Sequence, residues 1–229
     1  MENPRLIPLA LPRSGPMIFD FAHLRGAERV KLLSATIVPR PIAWIVTQEE
    51  GGALNAAPFS FFNLFSGDPP VICVGIGGRS GGLKDTARNI ERTGEFVINL
   101  VSEGLAQKMN VTAIDFPPGV DEVLQAGLSV APSIKVKPPR IADSPVAFEC
   151  IRLFAKEIGA GRSIIAAEVV AAYIRDDAIL DAERCHVDTP RLKLIARMHG
   201  GGQYVRCSDV FEMKKIELKD WSAETKLQR

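Results

Sequence analysis

Apolar residues along this chain fall into short runs of strand length, punctuated by glycine, proline and aspartate, with helical spacing confined to the gaps between them. Residues 42–47 are β-branched and aromatic, Glu50-Gly51-Gly52 supplies turn chemistry, and the chain is apolar again from Ala53. The stretch 42–65 therefore reads as a hairpin, ended by Asp68-Pro69-Pro70. Residues 71–76 predict a buried strand, 77–82 a loop, 85–92 a short helix with Gly94 in the C′ position, and 95–101 a returning strand. A short helix is expected over 26–34, with Pro39 and Pro41 barring its continuation.

Residues 104–128 read as helix and loop broken by Pro117-Pro118, and 132–139 as an edge or connector. Two further strand-length runs, 147–156 and 164–174, flank the turn signal Ile158-Gly159-Ala160-Gly161-Arg162. Strands at both ends with helices inserted favour a mainly β, Greek-key antiparallel barrel over alternating βαβ units, and no internal repeat points to a solenoid or propeller. The first sixteen residues hold Pro4, Pro8, Pro12 and Pro16 without any period, so 1–17 is expected to be an extended arm, 18–216 the domain and 217–229 a tail.

At 229 residues, 46% hydrophobic and 24% charged, the chain can bury one substantial core. A net charge of +1 without a basic stripe argues against nucleic acid, and the longest apolar stretch, 164–174, is too short and too interrupted by Glu168 to cross a bilayer. With no signal-peptide core and four scattered cysteines, a cytoplasmic location is expected. Cys185-His186 lacks a second paired ligand at short spacing, so no metal site is expected.

Gly75 to Gly82 lies between a strand and a helix yet matches neither phosphate fingerprint. The dinucleotide motif needs glycine where Ser80 stands, and a P-loop needs lysine where Leu83 stands. The loop is either a flexible connector or a cradle for a single phosphate, with Arg79 and Lys84 as cations and the unpaired N–H groups of the following helix beside them. Asn55-Ala56-Ala57-Pro58 offers small side chains, suited either to a flat ring lying against the strand or to ordinary close packing. Trp44, Phe59, Phe61, Phe62 and Phe65 are open to both readings, though aromatic residues at strand spacing are more often core than cofactor wall. In Arg197-Met198-His199-Gly200-Gly201-Gly202-Gln203-Tyr204, three glycines signal mobility or close approach, and His199 is either structural or positions a second substrate. Hydrolase constellations are absent, and hydride chemistry on a bound cofactor needs none.

Phe19-Asp20, Leu32-Leu33, the run Pro39 to Trp44, Asn55 to Ser60, Asp68-Pro69-Pro70 and Lys84-Asp85-Thr86 together resemble the flavin reductase-like family. The likeness covers about 18–216, is strongest over 38–100, and is nearest to the branch holding the reductase component of nitrilotriacetate-type monooxygenases and the flavoredoxins. It implies an FMN-binding split β-barrel working as a homodimer, with flavin near the subunit interface; FAD is possible. Asn55, Ala56, Ala57 and Pro58 would then lie along the isoalloxazine ring, residues 60–63, among them Ser60, Phe61 and Asn63, would approach the ribityl chain, and Trp44 is a further cofactor-binding candidate. Arg79, Ser80, Lys84 and Thr86 would hold the phosphate, and His199 would stand near the reacting ring as the catalytic candidate. The implied activity is hydride transfer from NADH or NADPH to flavin, supplying reduced flavin to a partner oxygenase. A flavoredoxin-like carrier reduced by a protein partner, or a non-catalytic FMN-binding barrel, are the alternatives.

Overall fold

A computed structural model describes residues 17–79, 82–218 and 221. Helix α1 (Gly26–Thr36) precedes strands β1 (Ala43–Gln48), β2 (Leu54–Phe59), β3 (Phe61–Gly67) and β4 (Pro70–Ile76). Helix α2 (Asp85–Thr93) leads to β5 (Glu95–Asn99), the short helices α3 (Ala106–Val111) and α4 (Glu122–Gln125), and the two-residue pair β6 (Val130–Ala131) and β7 (Arg140–Ile141). A long hairpin of β8 (Val146–Gly159) and β9 (Arg162–Ile174) follows. The small pairs β10 (Ile179–Asp181) with β11 (His186–Val187), and β12 (Ile195–Met198) with β13 (Gln203–Arg206), complete the described chain.

Seven strands form one sheet in the order β2-β1-β5-β8-β9-β4-β3, with every pairing antiparallel. Its two edge strands are consecutive in sequence, separated by Ser60 alone, so the chain steps from one margin of the sheet to the other and rolls it into a split barrel. Here the structure refines the expected 42–65 hairpin. β1 and β2 do pair around the 50–52 turn, but beyond Ser60 the chain pairs with β4 instead. The expected connector over 132–139 carries no strand, although its flanks, β6 and β7, pair with each other. The C-terminal glycine run, read only as mobility or close approach, is the turn of the β12–β13 hairpin.

β1 explains why the sequence offered a continuous apolar run rather than an alternation: it is buried on both faces. Ala43 and Ile45 join the barrel interior with Phe59, Ile72, Val74, Phe96 and Ile98. Trp44 and Val46 face the opposite layer, packed with Met109, Val123 and Leu105 from the region of α3 and α4. Burying a side chain such as Ile45 contributes about 1.5–3 kcal/mol. Helix α2 closes one side of the barrel with Ala87 and Ile90, and ends at Gly94, whose φ of 74° is the left-handed conformation a C′ glycine supplies. Among the described residues, no helix is long and apolar enough to cross a membrane.

Candidate functional site

As an edge strand, β2 has outward-facing amides that need partners. Asp121 and Glu122, at the start of α4, provide them. Leu54 N donates to Asp121 Oδ2 at 3.1 Å, and Ala56 N donates to Glu122 Oε2 at 3.1 Å. Pro58 has no N–H to satisfy. Glu122 also accepts from Asn55 Nδ2 at 3.1 Å on each carboxylate oxygen, while Asn55 Oδ1 accepts from Thr86 Oγ1 at 2.7 Å and Thr47 Oγ1 at 3.3 Å. Thr47 Oγ1 accepts in turn from Asn89 Nδ2 at 3.1 Å. This buried network locks the first turn of α2 against β2 and α4. Burial without a neighbouring cation pushes the Glu122 carboxyl above its ordinary range, partly offset by its hydrogen bonds from Ala56 and Asn55.

A groove opens where these elements meet. Its first chamber encloses about 80 Å³, with Ala57, Pro58 and Phe59 on one wall, Arg79, Lys84 and Thr86 on a second, and residues 112–116 on a third. A second chamber of about 230 Å³ shares Pro58, Phe59 and Ala113 with it and continues past Ser60, Met109 and Asn110 to Arg197 and Tyr204. The first is small and carries two cations, Arg79 and Lys84, beside three acidic side chains, Asp85, Asp115 and Glu122. The second is larger and walled by apolar and aromatic side chains, as a flat ring requires.

The charged end rests on close backbone contact. Arg79 N donates to Gly82 O at 3.0 Å and Gly82 N to Arg79 O at 3.2 Å. A Cβ on Gly78 would lie 2.4 Å from Ala160 O, and one on Gly161, whose φ is 70°, would lie 2.5 Å from Gly82 C. Glycine is thus required where the loop and the β8–β9 turn touch. No side chain caps α2, whose first residues Asp85 and Thr86 line the chamber, and the first N–H groups of a helix have no partners inside it. Arg79 Nη1 meets Asp85 Oδ2 at 3.0 Å and Lys84 Nζ meets Asp115 Oδ1 at 3.2 Å; Arg88 also pairs with Asp85. Asp115 is 80% exposed, so its hold on Lys84 is weak.

The family model for the flavin reductase like domain matches residues 35–188. This chain belongs to that family. A protein of Deinococcus radiodurans is 44% identical over 211 residues, covering 90% of this chain and 92% of its own. Two crystal structures share the fold at a TM-score of 0.82. Nitrilotriacetate monooxygenase component B of Bacillus cereus is 27% identical and covers 88% of this chain and all of its own; 2-nitrobenzoate 2-nitroreductase of Pseudomonas fluorescens is 30% identical and covers 90% of this chain and all of its own.

Against the flavin reductase-like pattern, the structure brings Asn55, Ala57, Pro58, Arg79, Lys84 and Thr86 to the first chamber and Ser60 to the second. Trp44 and Ala56 lie behind the strand in the packed layer; the indole Nε1 of Trp44 donates to Thr112 Oγ1 at 2.9 Å. A ring lying against 55–58 would find the Ala56 N–H already held by Glu122. Phe61 and Asn63 sit on β3 outside both chambers, with Asn63 Oδ1 accepting from Leu64 N, and Ser80 lies outside the described residues.

His199 has φ of 58° and lines a separate cavity with Gly200, Gly201 and α1; its carbonyl accepts from Arg40 Nη2 at 3.0 Å. Within one chain it does not line the groove. The hairpin that carries it reaches the groove through Arg197 and Tyr204 instead. The run Arg197 to Tyr204 stands out in the sequence for its glycines and His199, without a role for Arg197 or Tyr204 themselves, and Glu122 is not singled out. Glu122 sits in an unremarkable helical stretch, and the alternation of β12 was masked by the glycines, although Arg197 and Tyr204 face each other across the hairpin.

Proposed function

We propose that this protein is an NAD(P)H-dependent flavin reductase that binds FMN along the groove, phosphate at the α2 end and ring toward Arg197 and Tyr204. The observation that carries the reading is the adjacency of a small chamber holding Arg79 and Lys84 at the start of α2 to a larger, mainly apolar and aromatic one, the two sharing Pro58, Phe59 and Ala113. FAD shares the same phosphate and ring and fits the same assignment. When bound, the flavin supplies the hydride-accepting centre, taking hydride from C4 of NADH or NADPH at its N5.

The chain's own residues bind and orient. Lys84 and Arg79 neutralise the phosphate, Thr86 fixes the helix end through Asn55, and Pro58 and Phe59 form the floor shared by both chambers. Nicotinamide would stack over the exposed ring face, consistent with the absence of a dinucleotide fingerprint in 75–82. His199 is kept in this proposal as a contributor from the glycine hairpin, with the partner subunit's groove as its target.

A homodimer is part of the proposal. Phe61, Ile164 and Phe154 lie on one outer face of the β3-β4-β9-β8 portion of the sheet and are 54%, 40% and 55% exposed. An apolar face of this kind on neighbouring strands marks a contact surface. Supply of reduced flavin to a partner oxygenase is supported by the likeness to nitrilotriacetate monooxygenase component B, and use of the nicotinamide pool suits a cytoplasmic setting.

Anaerobic mixing of FMN-loaded protein with NADH, then with NADPH, tests the function. Rapid bleaching of the flavin visible band is expected with at least one donor. Bound flavin that neither donor bleaches would contradict the reductase and favour an electron carrier served by a protein.

A further inference from the structure

The two ends of the groove differ in how their cations are balanced. Arg79 and Lys84, at the phosphate end, each face a carboxylate. Arg197, at the other end, has no carboxylate partner among the described residues. Its Nη1 donates to Tyr204 Oη at 2.8 Å, and its guanidinium carbon lies 4.8 Å from the centre of the Tyr204 ring. A guanidinium has five N–H donors, so most of those on Arg197 remain available to a ligand in the chamber it lines.

The backbone beneath Arg197 is held firmly. Arg40 N donates to Arg197 O at 3.0 Å and Arg197 N to Arg40 O at 2.9 Å. The buried Arg40 side chain in turn ties Ile37 O at 2.9 Å to His199 O at 3.0 Å, fastening the end of α1 to the hairpin. Gly200 packs so closely on α1 that a Cβ there would lie 2.8 Å from Ser34 Oγ. Burial lowers the pKa of Arg40, and the like charge of Arg197 adds to that. Arg197 is therefore a charge on a fixed platform, oriented by a tyrosine and without a counter-ion among the described residues.

Resting on the reading of the groove as a flavin site, we infer that Arg197 faces the pyrimidinedione edge of the ring and stabilises the negative charge that reduction places there, with Tyr204 as its positioning residue. The remaining wall of the chamber, Ile42, Phe59, Met109 and Ala113, suits the apolar dimethylbenzene portion of the same ring and offers no competing charge. Hydride transfer breaks the C4–H bond of the dihydronicotinamide and forms an N–H bond at flavin N5. The electron pair travels with the hydrogen, the nicotinamide leaves as the oxidised pyridinium, and one negative charge is left on N1–C2=O. A preorganised cation at that edge binds the reduced ring more tightly than the oxidised one, which is differential stabilisation of the product side of the step.

The test compares full-length wild type with Arg197→Gln, Arg197→Lys and Tyr204→Phe. For each, the dissociation constant of oxidised FMN and the midpoint potential of the bound flavin against a reference dye are measured. Arg197→Gln is expected to weaken reduced FMN about tenfold more than oxidised FMN, which lowers the midpoint potential by about 30 mV for a two-electron couple. Arg197→Lys should restore most of the potential, and Tyr204→Phe should give a smaller drop. An unchanged potential in Arg197→Gln, or equal weakening of both redox states, overturns the inference. So does a raised Michaelis constant for NADH at unchanged potential, which would assign Arg197 to the nicotinamide phosphates. Failure of wild type to bind oxidised FMN is a separate result, and refutes the flavin-site reading itself.

Discussion

Thr86 Oγ1 donates to Asn55 Oδ1 at 2.7 Å, and through this one bond the first turn of α2 is fixed to the strand that floors the groove. Both side chains are buried, at 1% and 5% exposure, so the bond is shielded from water. Replacing the hydroxyl in Thr86→Val keeps the shape and leaves Asn55 Oδ1 with only the 3.3 Å contact from Thr47. The expected loss is about 1–3 kcal/mol in urea unfolding, the usual result of stranding a buried acceptor. FMN affinity should fall as well, because the helix end is no longer registered to β2. A variant as stable as wild type would show that Asn55 is held without Thr86.

Glu122 gives a pH dependence of defined sign. Burial raises its folded pKa above the ordinary carboxylate value, so the native state holds this proton more tightly than the unfolded chain. The stability it contributes is fully present below the unfolded pKa and is lost as pH rises through the folded one. Glu122→Gln removes that loss while retaining an acceptor for Ala56 N or Asn55 Nδ2. Relative to wild type, the variant should therefore gain stability between about pH 4 and pH 7. Urea midpoints at both pH values check this, and an equal difference at the two contradicts it.

Lys84 and Asp115 are expected to act in opposite directions on FMN. Lys84→Ala loses a charge-assisted phosphate contact and should weaken binding by about 1.5–3 kcal/mol. Asp115→Asn removes the carboxylate that competes for Lys84 Nζ and should strengthen binding by about 0.2–1 kcal/mol, the range for an exposed ion pair. Fluorescence titration of FMN into both variants reads the pair. Weakening by Asp115→Asn would mean that the carboxylate orients the lysine rather than occupying it.

The exposed Phe154 tests the dimer. Light scattering after size exclusion is expected to give twice the chain mass for wild type and a shift toward the monomer for Phe154→Asp, since an apolar face tolerates a buried carboxylate poorly. A wild-type monomer at micromolar concentration would contradict the proposed assembly.

How much of this was legible in the sequence depends on how local the cause was. Gly94 after 85–92 and the turn at 50–52 act through their own backbone, and the elements they bound were found where expected. The break at Ser60 was not legible, because apolar residues continue on both sides and only the closure of the barrel decides which strand each side joins. The cationic loop announced itself through Gly78, Arg79 and Lys84, and Gly161 marked a turn, but that the two touch is a fact of tertiary packing. Glu122 looked like any surface acid of a short helix. Its importance comes from Asn55 and Ala56, which are 67 and 66 residues away. His199 drew attention as a lone titratable group beside glycines, whereas it is the hairpin register that carries Arg197 and Tyr204 to the groove.

Whether the loop before α2 holds the phosphate of a flavin mononucleotide is decided by comparing FMN with riboflavin in parallel calorimetric titrations of wild type. The two ligands share the ring and differ in the phosphate. FMN is expected to bind at least about tenfold more tightly, the equivalent of about 1.4 kcal/mol. Equal affinities would show that residues 79–86 do not hold the phosphate and would contradict the account.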